Sequence, residues 1–224
     1  MDKITKQHVE ELLRKRDYDR LIDLCVADRR VWQEVRFRLY DIDERLRWSA
    51  IETAAKLMQR WWRSGREEKV RTYIRTLFWS MTDESGGIGW SSPQTIAEII
   101  VNIPELIDPY GSMMIAYSID EPPLIKGGLW GIGRLGRKIT EAVTFFQDKV
   151  LVVFESNDTE ILGLGAWAIG EVGFQPALQV LEELREMKVS LMKESVRIYI
   201  EGSLHEKLLE VWIRNALFKI EQNY

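Results

Sequence analysis

The chain has 224 residues, 46% of them hydrophobic, and a formal net charge of −4 at pH 7. That hydrophobic share is enough for a continuous core. No stretch stays apolar over the roughly 20 residues of a membrane span, and the charged amino terminus has no apolar signal segment. The sequence therefore predicts a soluble, cytoplasmic protein. Cys25 is the only cysteine, which excludes an internal disulfide. Because no histidine neighbours it in the sequence, we expect a buried, unreactive thiol.

Charge is distributed unevenly along the chain. Residues 1–80 carry 19 Lys and Arg against 14 Asp and Glu, a balance of +5, whereas residues 81–224 carry 12 against 21, a balance of −9. Because the arginines alternate with acids at helical spacing, the pattern favours an ion-paired, solvated face over a phosphate-binding stripe. Nucleic acid is therefore a disfavoured partner.

Apolar residues recur at helical spacing in most segments, which predicts an all-α chain. Asp41 and Glu44 suggest a capping box at the start of a long helix that ends near Gly65, and a partner helix follows over 67–81. The run VLVVF at 150–154 fits a buried strand or a helix, and its position inside a helix-length periodic segment favours the helix. We expect capping helices at 1–40, repeats at 41–187 and a degenerate helical capping repeat at 188–224, all in one domain.

Two short segments reveal the repeat. LWGIGRLG at 129–136 is echoed 37 residues later by AWAIGEVG at 166–173, and weaker copies begin at Trp48 and Trp90. Small residues at corresponding places would let neighbouring helices approach closely. These are Ala55, Ala97, Gly133 and Gly170. The residue that follows each of these small residues should face outward or line a groove. The four residues in this position are Lys56, Glu98, Arg134 and Glu171.

The segment ILGLGAWAIGEVGFQPALQVLEEL at 161–184 resembles the HEAT-like repeat of phycobilin chromophore lyases and of many bacterial scaffold proteins. Together with FWSMTDESGGIGW at 78–90, it is similar to a group of uncharacterised bacterial HEAT-repeat proteins. The resemblance implies an α-α superhelix, a short right-handed solenoid of about four to five helix pairs, and it implies no reaction.

The loop at 82–89, between Trp79 and Trp90, is the strongest candidate site because the repeat does not require it. Its glycines expose backbone N–H groups, and Asp83 and Glu84 add acceptors that suit a cationic or amide-bearing segment. An ordered turn that satisfies its own backbone is the alternative. The loop lacks the Gly-Lys-Ser/Thr ending of a phosphate loop.

The recurring tryptophans have two interpretations. A tryptophan at the same place in each repeat is typical of packing between helices, and this interpretation is favoured. If they were exposed beside Glu98, Arg134 and Glu171, they would form a ladder for an extended peptide. His8 and His205 stand at opposite ends of the chain and cannot supply the repeated His-Glu pairs of a di-iron hydroxylase.

The sequence thus favours a non-enzymatic scaffold, with no cofactor and no metal, that binds an extended or basic polypeptide. The alternative is a lyase- or chaperone-like accessory for a tetrapyrrole or protein-bound cofactor, and nucleic-acid binding is a third hypothesis. A membrane partner is not expected, and the oligomeric state stays open. The predicted binding residues are Trp79, Asp83, Glu84, Trp90, Glu98, Trp130, Arg134 and Glu171.

Overall fold

A computed structural model of the protein describes residues 6–82 and 89–222. The helices, in chain order, are α1 (Lys6–Lys15), α2 (Tyr18–Ala27), α3 (Arg29–Arg38), α4 (Glu44–Arg63), α5 (Glu67–Met81), α6 (Ser92–Asn102), α7 (Ile107–Ser118), α8 (Ile125–Leu135), α9 (Thr140–Phe145), α10 (Gln147–Val152), α11 (Thr159–Val172), α12 (Leu178–Met187) and α13 (Leu209–Glu221). Two strands, β1 (Ser195–Ile200) and β2 (Ser203–Leu208), precede α13. The prediction of a mainly helical chain is confirmed.

The chain divides into two compact units, residues 1–104 and residues 105–224. Each has its own buried apolar core. That all 224 residues act as one domain stays a prediction.

Aspartates begin several helices by accepting backbone N–H groups that would otherwise lack a partner. Asp28 accepts from Arg30 N at the start of α3, and Asp158 accepts from Glu160 N and Ile161 N at the start of α11. The predicted cap of α4 is wrong by two residues. Asp43 accepts from Arg45 N there, while Asp41 accepts from the backbone N–H of Asp43.

In the first unit, α4 and α6 lie side by side. Helices α1, α2 and α3 pack against α4, and α5 packs against both α4 and α6. The repeat positions Ala55 and Ala97 are completely buried, as are Leu57 and Ile74. The expected amino-terminal cap is therefore built into the core of this unit.

In the second unit, α8, α11 and α13 form the corresponding row of helices. A Cβ atom added to Gly133 of α8 would lie 2.6 Å from ring atom Cε3 of Trp167 on α11. One added to Gly170 of α11 would lie 2.8 Å from the Cα atom of Ala216 on α13. Both distances are shorter than real Cβ contacts, so these glycines allow the close approach that the repeat predicted.

Residues 140–155 were expected to form one helix and instead form three helical pieces. Helices α9 and α10 are interrupted at Phe146, and a 3-10 turn follows at Val153–Glu155. The preference for helix over strand in the run at 150–154 is confirmed.

The carboxyl-terminal region departs from the all-helical expectation. Strands β1 and β2 pair antiparallel, with Ser195 opposite Leu208 and Ile200 opposite Ser203. The connecting residues Glu201 and Gly202 have φ values of 46° and 89°, the positive φ values of a tight two-residue hairpin turn. Burial alternates over residues 195–198 of β1, and its Val and Ile residues favour a strand, so the prediction of a helical repeat is wrong at 195–208.

The hairpin and the 3-10 turn after α10 contact opposite sides of α11. Gly163 faces Val196 of β1, whereas Gly165 faces Val153 and Phe154. Two residues along an α-helix correspond to a rotation of about 200°, which accounts for the two directions. Helix α11 is thus enclosed by α8, α13, the hairpin and the turn after α10.

Candidate functional site

Trp79 is the most accessible of the predicted site residues in the described part of the chain. It lies in the last turn of α5, and 79% of its surface is exposed. A large aromatic side chain left in water forgoes the burial that normally stabilises it, and tryptophan is enriched among the residues that dominate protein interfaces. This exposure makes Trp79 the best-supported anchor for a partner.

The carboxyl-terminal end of the loop that follows Trp79 is hydrogen-bonded to α5. The backbone N–H of Gly89 donates to the carbonyl of Ser80 over 2.8 Å, and the hydroxyls of Ser80 and Ser92 are also 2.8 Å apart. A side chain at Gly89 would overlap those hydroxyls. The chain therefore returns to α5 before α6 begins. Asp83 and Glu84 lie at 83–88, outside the described residues, so their role stays a prediction.

Trp90 is partly exposed and sits against polar and aromatic neighbours. The Arg47 guanidinium lies 4.8 Å from its ring centroid, and the Tyr40 ring meets it edge to face at 6.2 Å. Both contacts arise within the first unit. They hold the Trp90 ring in place and leave part of its edge accessible.

Glu98 does not face outward as the repeat alignment predicted. It is only 8% exposed, and its Oε1 accepts from the amide of Asn102 over 3.2 Å. A carboxylate at this depth needs such a donor to offset the loss of water. Its place among the binding residues is not supported by the geometry. Lys56, at the corresponding place in the first repeat, is exposed as expected.

The repeated tryptophans of the second unit are packing residues. Trp130 is 4% exposed, its ring centroid lies 6.5 Å from that of Trp167, and its indole N–H donates to the Tyr199 carbonyl over 2.7 Å. Trp167 is also buried, as is Trp48 in the first unit. The favoured interpretation of these tryptophans is confirmed, and an exposed ladder is absent at these three positions.

The two charged residues of the second-unit repeats are partly exposed. Glu171 accepts from the Trp167 indole N–H over 2.9 Å and pairs with the Lys219 ammonium at 2.5 Å. Its carboxylate is therefore already engaged by two donors. Arg134 lies one turn after Trp130 on α8 and keeps an intermediate accessibility.

An extended segment of the chain itself covers the surface where a peptide was expected. Besides the Trp130 bond to Tyr199, the Trp212 indole N–H donates to the Val196 carbonyl over 3.1 Å. Val196 and Ile198 are buried by this contact. The tryptophans of this face thus bind strand β1 in the same molecule, which explains why they are not accessible.

Several arginines of the first unit form ion pairs. Arg38 lies within 3.2 Å of Glu10, Glu34 and Asp41, and Arg16 pairs with Glu52 at 2.6 Å. Arg14, Arg30, Arg47, Arg60 and Arg75 form further pairs. The expectation of an ion-paired face is confirmed for these residues.

Burial raises the pKa of the Cys25 thiol to about 12, because the thiolate loses its hydration in the core. The thiol is therefore protonated and inert at neutral pH. Among residues 6–82 and 89–222, no three His, Cys, Asp or Glu side chains come together as a metal site would require. None of the helices those residues form is both long and apolar enough to cross a membrane.

Comparison with known proteins agrees with the fold. No family model matches the chain. An uncharacterized protein from Archaeoglobus fulgidus is 29% identical over 136 residues, which span 60% of this chain and 70% of the relative.

Among solved structures, a designed armadillo repeat protein aligns with 98% of this chain and 96% of its own, at a TM-score of 0.52 and 15% identity. An archaeal HEAT-like repeats protein from Thermococcus onnurineus NA1 aligns over 99% of both chains at a TM-score of 0.33 and 11% identity. The chain is thus a mostly helical protein whose fold matches that of the designed armadillo repeat protein.

Proposed function

We propose that the protein is a non-enzymatic binding scaffold that takes a basic or extended polypeptide at a surface formed by Trp79 and the loop 82–89. The observation that carries the proposal is the 79% exposure of Trp79. An exposed indole ring can bind a Lys or Arg side chain through cation–π attraction. Asp83 and Glu84, four and five residues further on, supply carboxylates of the sign that such a partner needs.

The test uses a fluorescent 15-residue peptide of alternating Lys and Ser, with a Glu and Ser peptide as its charge control. We expect the Lys peptide to bind, and Trp79→Ala or Asp83→Lys/Glu84→Lys to weaken its binding at least tenfold, as loss of an interface anchor does. Phe145→Ala, which removes an equally exposed aromatic side chain in the second unit, is the matched control. Unchanged affinity in both Trp79 and loop variants would exclude this surface.

The lyase- or chaperone-like alternative requires an apolar pocket that could hold a tetrapyrrole or another cofactor, and a deep, closed pocket near Trp130 would favour it. Trp167 and the Tyr199 carbonyl occupy the surroundings of Trp130. These contacts favour peptide binding over the phycobilin-lyase hypothesis. A bilin that binds with a red-shifted absorption band would reverse that preference.

Nucleic acid stays the third hypothesis. The ion pairs of the first unit reduce the positive charge available for phosphates. We expect no salt-dependent binding to DNA or RNA, measured by fluorescence anisotropy between 50 and 200 mM salt, the range over which phosphate contacts lose roughly 10³ or more in affinity.

A further inference from the structure

A groove of about 570 Å³ runs between α10 and α12 in the second unit. Its floor is apolar and consists of Leu151, Phe154, Val180 and Leu184. The 3-10 turn after α10 packs on the side of α11 that faces away from the hairpin. None of these residues is among the binding residues that the sequence predicted.

Two apolar side chains at the groove remain in water. Val152 of α10 is 57% exposed and Met187, the last residue of α12, is 80% exposed. Methionine is flexible and polarizable, and it is common at surfaces that adapt to apolar partner side chains. With the apolar floor, these residues form a continuous surface that a partner could dehydrate.

Negative charge lines the same groove. The carboxylates of Asp148, Glu155 and Glu183 stand along it. Within the described part of the chain, neither Asp148 nor Glu155 makes an ion pair, and Glu183 accepts from the amide of Gln179 over 2.7 Å. The three carboxylates are therefore available to bind a cationic partner.

Lys188, the cation that lines the groove among the described residues, directs its ammonium toward backbone carbonyls. Its Nζ donates to the carbonyl of Glu155 over 3.0 Å and to that of Ser156. These bonds fix the end of α12 to the turn after α10.

We infer that this groove binds an amphipathic helix of a partner protein, one that carries an apolar stripe flanked by Lys and Arg. The inference rests on the proposed scaffold role and adds a second surface to it. Both walls are helices, so the groove has no open strand edge with which an added strand could pair. A helix instead inserts side chains at positions i, i+3, i+4 and i+7 into such a groove.

The dimensions fit this occupant. The ten residues of α12 extend over about 15 Å, the length of nearly three helical turns. Three turns present three or four apolar anchors on one face. Basic residues beside those anchors would meet the carboxylates of Asp148, Glu155 and Glu183.

The probe is a fluorescent 18-residue peptide with Leu at helical i, i+3, i+4, i+7 spacing and Lys elsewhere. Two control peptides replace every Lys by Glu or place two prolines in the middle. We expect the Leu/Lys peptide to bind in an anisotropy titration. Both controls should bind at least tenfold more weakly.

Two variants of the protein test the location. Val152→Ser/Met187→Ser removes exposed apolar surface, and Asp148→Lys/Glu183→Lys reverses the charge of the rim; each should weaken binding at least tenfold. Glu182→Lys is the matched control, because it makes the same charge change on α12 but faces a different part of the surface. All substituted side chains are exposed, so thermal unfolding midpoints should stay close to that of the wild type.

The two sites are separated by their outcomes. Loss of binding in the groove variants, with Trp79→Ala unaffected, supports the inference. Loss in Trp79→Ala alone overturns the groove and leaves the scaffold role intact. Absence of binding by the Leu/Lys peptide overturns the inference, as does equal binding of the proline peptide. If the groove variants convert a dimer to a monomer in light scattering, the occupant is a second copy of this chain and the inference is likewise overturned.

Discussion

In residues 1–104, the row of helices has alanine at the repeat positions Ala55 and Ala97, whereas in residues 105–224 the row has Gly133 and Gly170. The glycines of the second unit lie against Trp167 and Ala216 at distances that leave no room for a methyl group. That unit also covers its tryptophans with a hairpin, while the first unit leaves Trp79 in water. Trp130 and Trp167, which recur with the repeat, are thus packing residues, whereas Trp79, which falls outside it, is accessible.

The largest effect should separate the two tryptophan environments. Trp130→Ala opens a cavity and leaves the Tyr199 carbonyl without its indole donor, so the free energy of unfolding should fall by about 3–5 kcal/mol. Trp79→Ala should change it by no more than about 0.5 kcal/mol. Urea unfolding followed by circular dichroism measures both. Equal losses would break the distinction between packing and accessible tryptophans.

The next largest change in the free energy of unfolding is expected at the glycines of the helix contacts. Gly170→Ala improves helix propensity but forces a Cβ atom toward the Ala216 backbone, so we expect a net loss of about 1–3 kcal/mol. The matched change in the first unit, Ala97→Gly, should cost about 1 kcal/mol through helix propensity and lost packing. A gain of stability in Gly170→Ala would show that α11 and α13 have room to separate.

The pKa of the Cys25 thiol reports whether water reaches the core of the first unit. Its pKa is raised from 9.0 to about 12 by burial, so the unfolded chain loses this proton before the folded one does. The stabilisation is present below pH 9 and is lost as the pH rises toward 12, at up to about 1.4 kcal/mol per pH unit. Urea unfolding at pH 8, 9 and 10 should show a steeper decline for the wild type than for Cys25→Ala, since other groups contribute equally to both. Parallel declines would mean that the thiol is hydrated.

The smallest effect lies in the hairpin turn that only the second unit contains among the described residues. Glu201 has a φ of 46°, a conformation that asparagine accepts more readily than glutamate does. Glu201→Asn should stabilise the protein by a few tenths to about 1 kcal/mol, whereas Glu201→Val should destabilise it. The shift in thermal unfolding midpoint checks both signs, and the same sign for both variants would argue against the turn.

Local patterns predicted many of the elements correctly. The helix at 67–81 has the predicted bounds, and the segment at 150–154 is helical as the periodicity indicated. The hairpin at 195–208 was missed although its signals are present. Val196 and Ile198 alternate with the exposed residues Ser195 and Arg197, and Glu-Gly separates the two runs. The repeat frame favoured a helical interpretation of a segment whose own residues favour strands.

The candidate surfaces were harder to predict. Trp79 stands out in the sequence because it falls outside the repeat, and the structure leaves it exposed. Glu98 occupies an outward position in the alignment yet is buried beside Asn102, since helical spacing does not say which neighbours cover a face. The groove at Met187 has no sequence motif, because its walls come from two helices that lie far apart in the chain.

The sequence by itself determined the helical repeat, the small residues at the helix contacts and the packing role of Trp130 and Trp167. These follow from local spacing, which sets the face of a helix on which each residue lies. Only the tertiary structure decided that a hairpin covers the Trp130 face and that the α10–α12 groove stays open. Those outcomes depend on which elements meet in space, and burial is a property of the neighbours as much as of the residue.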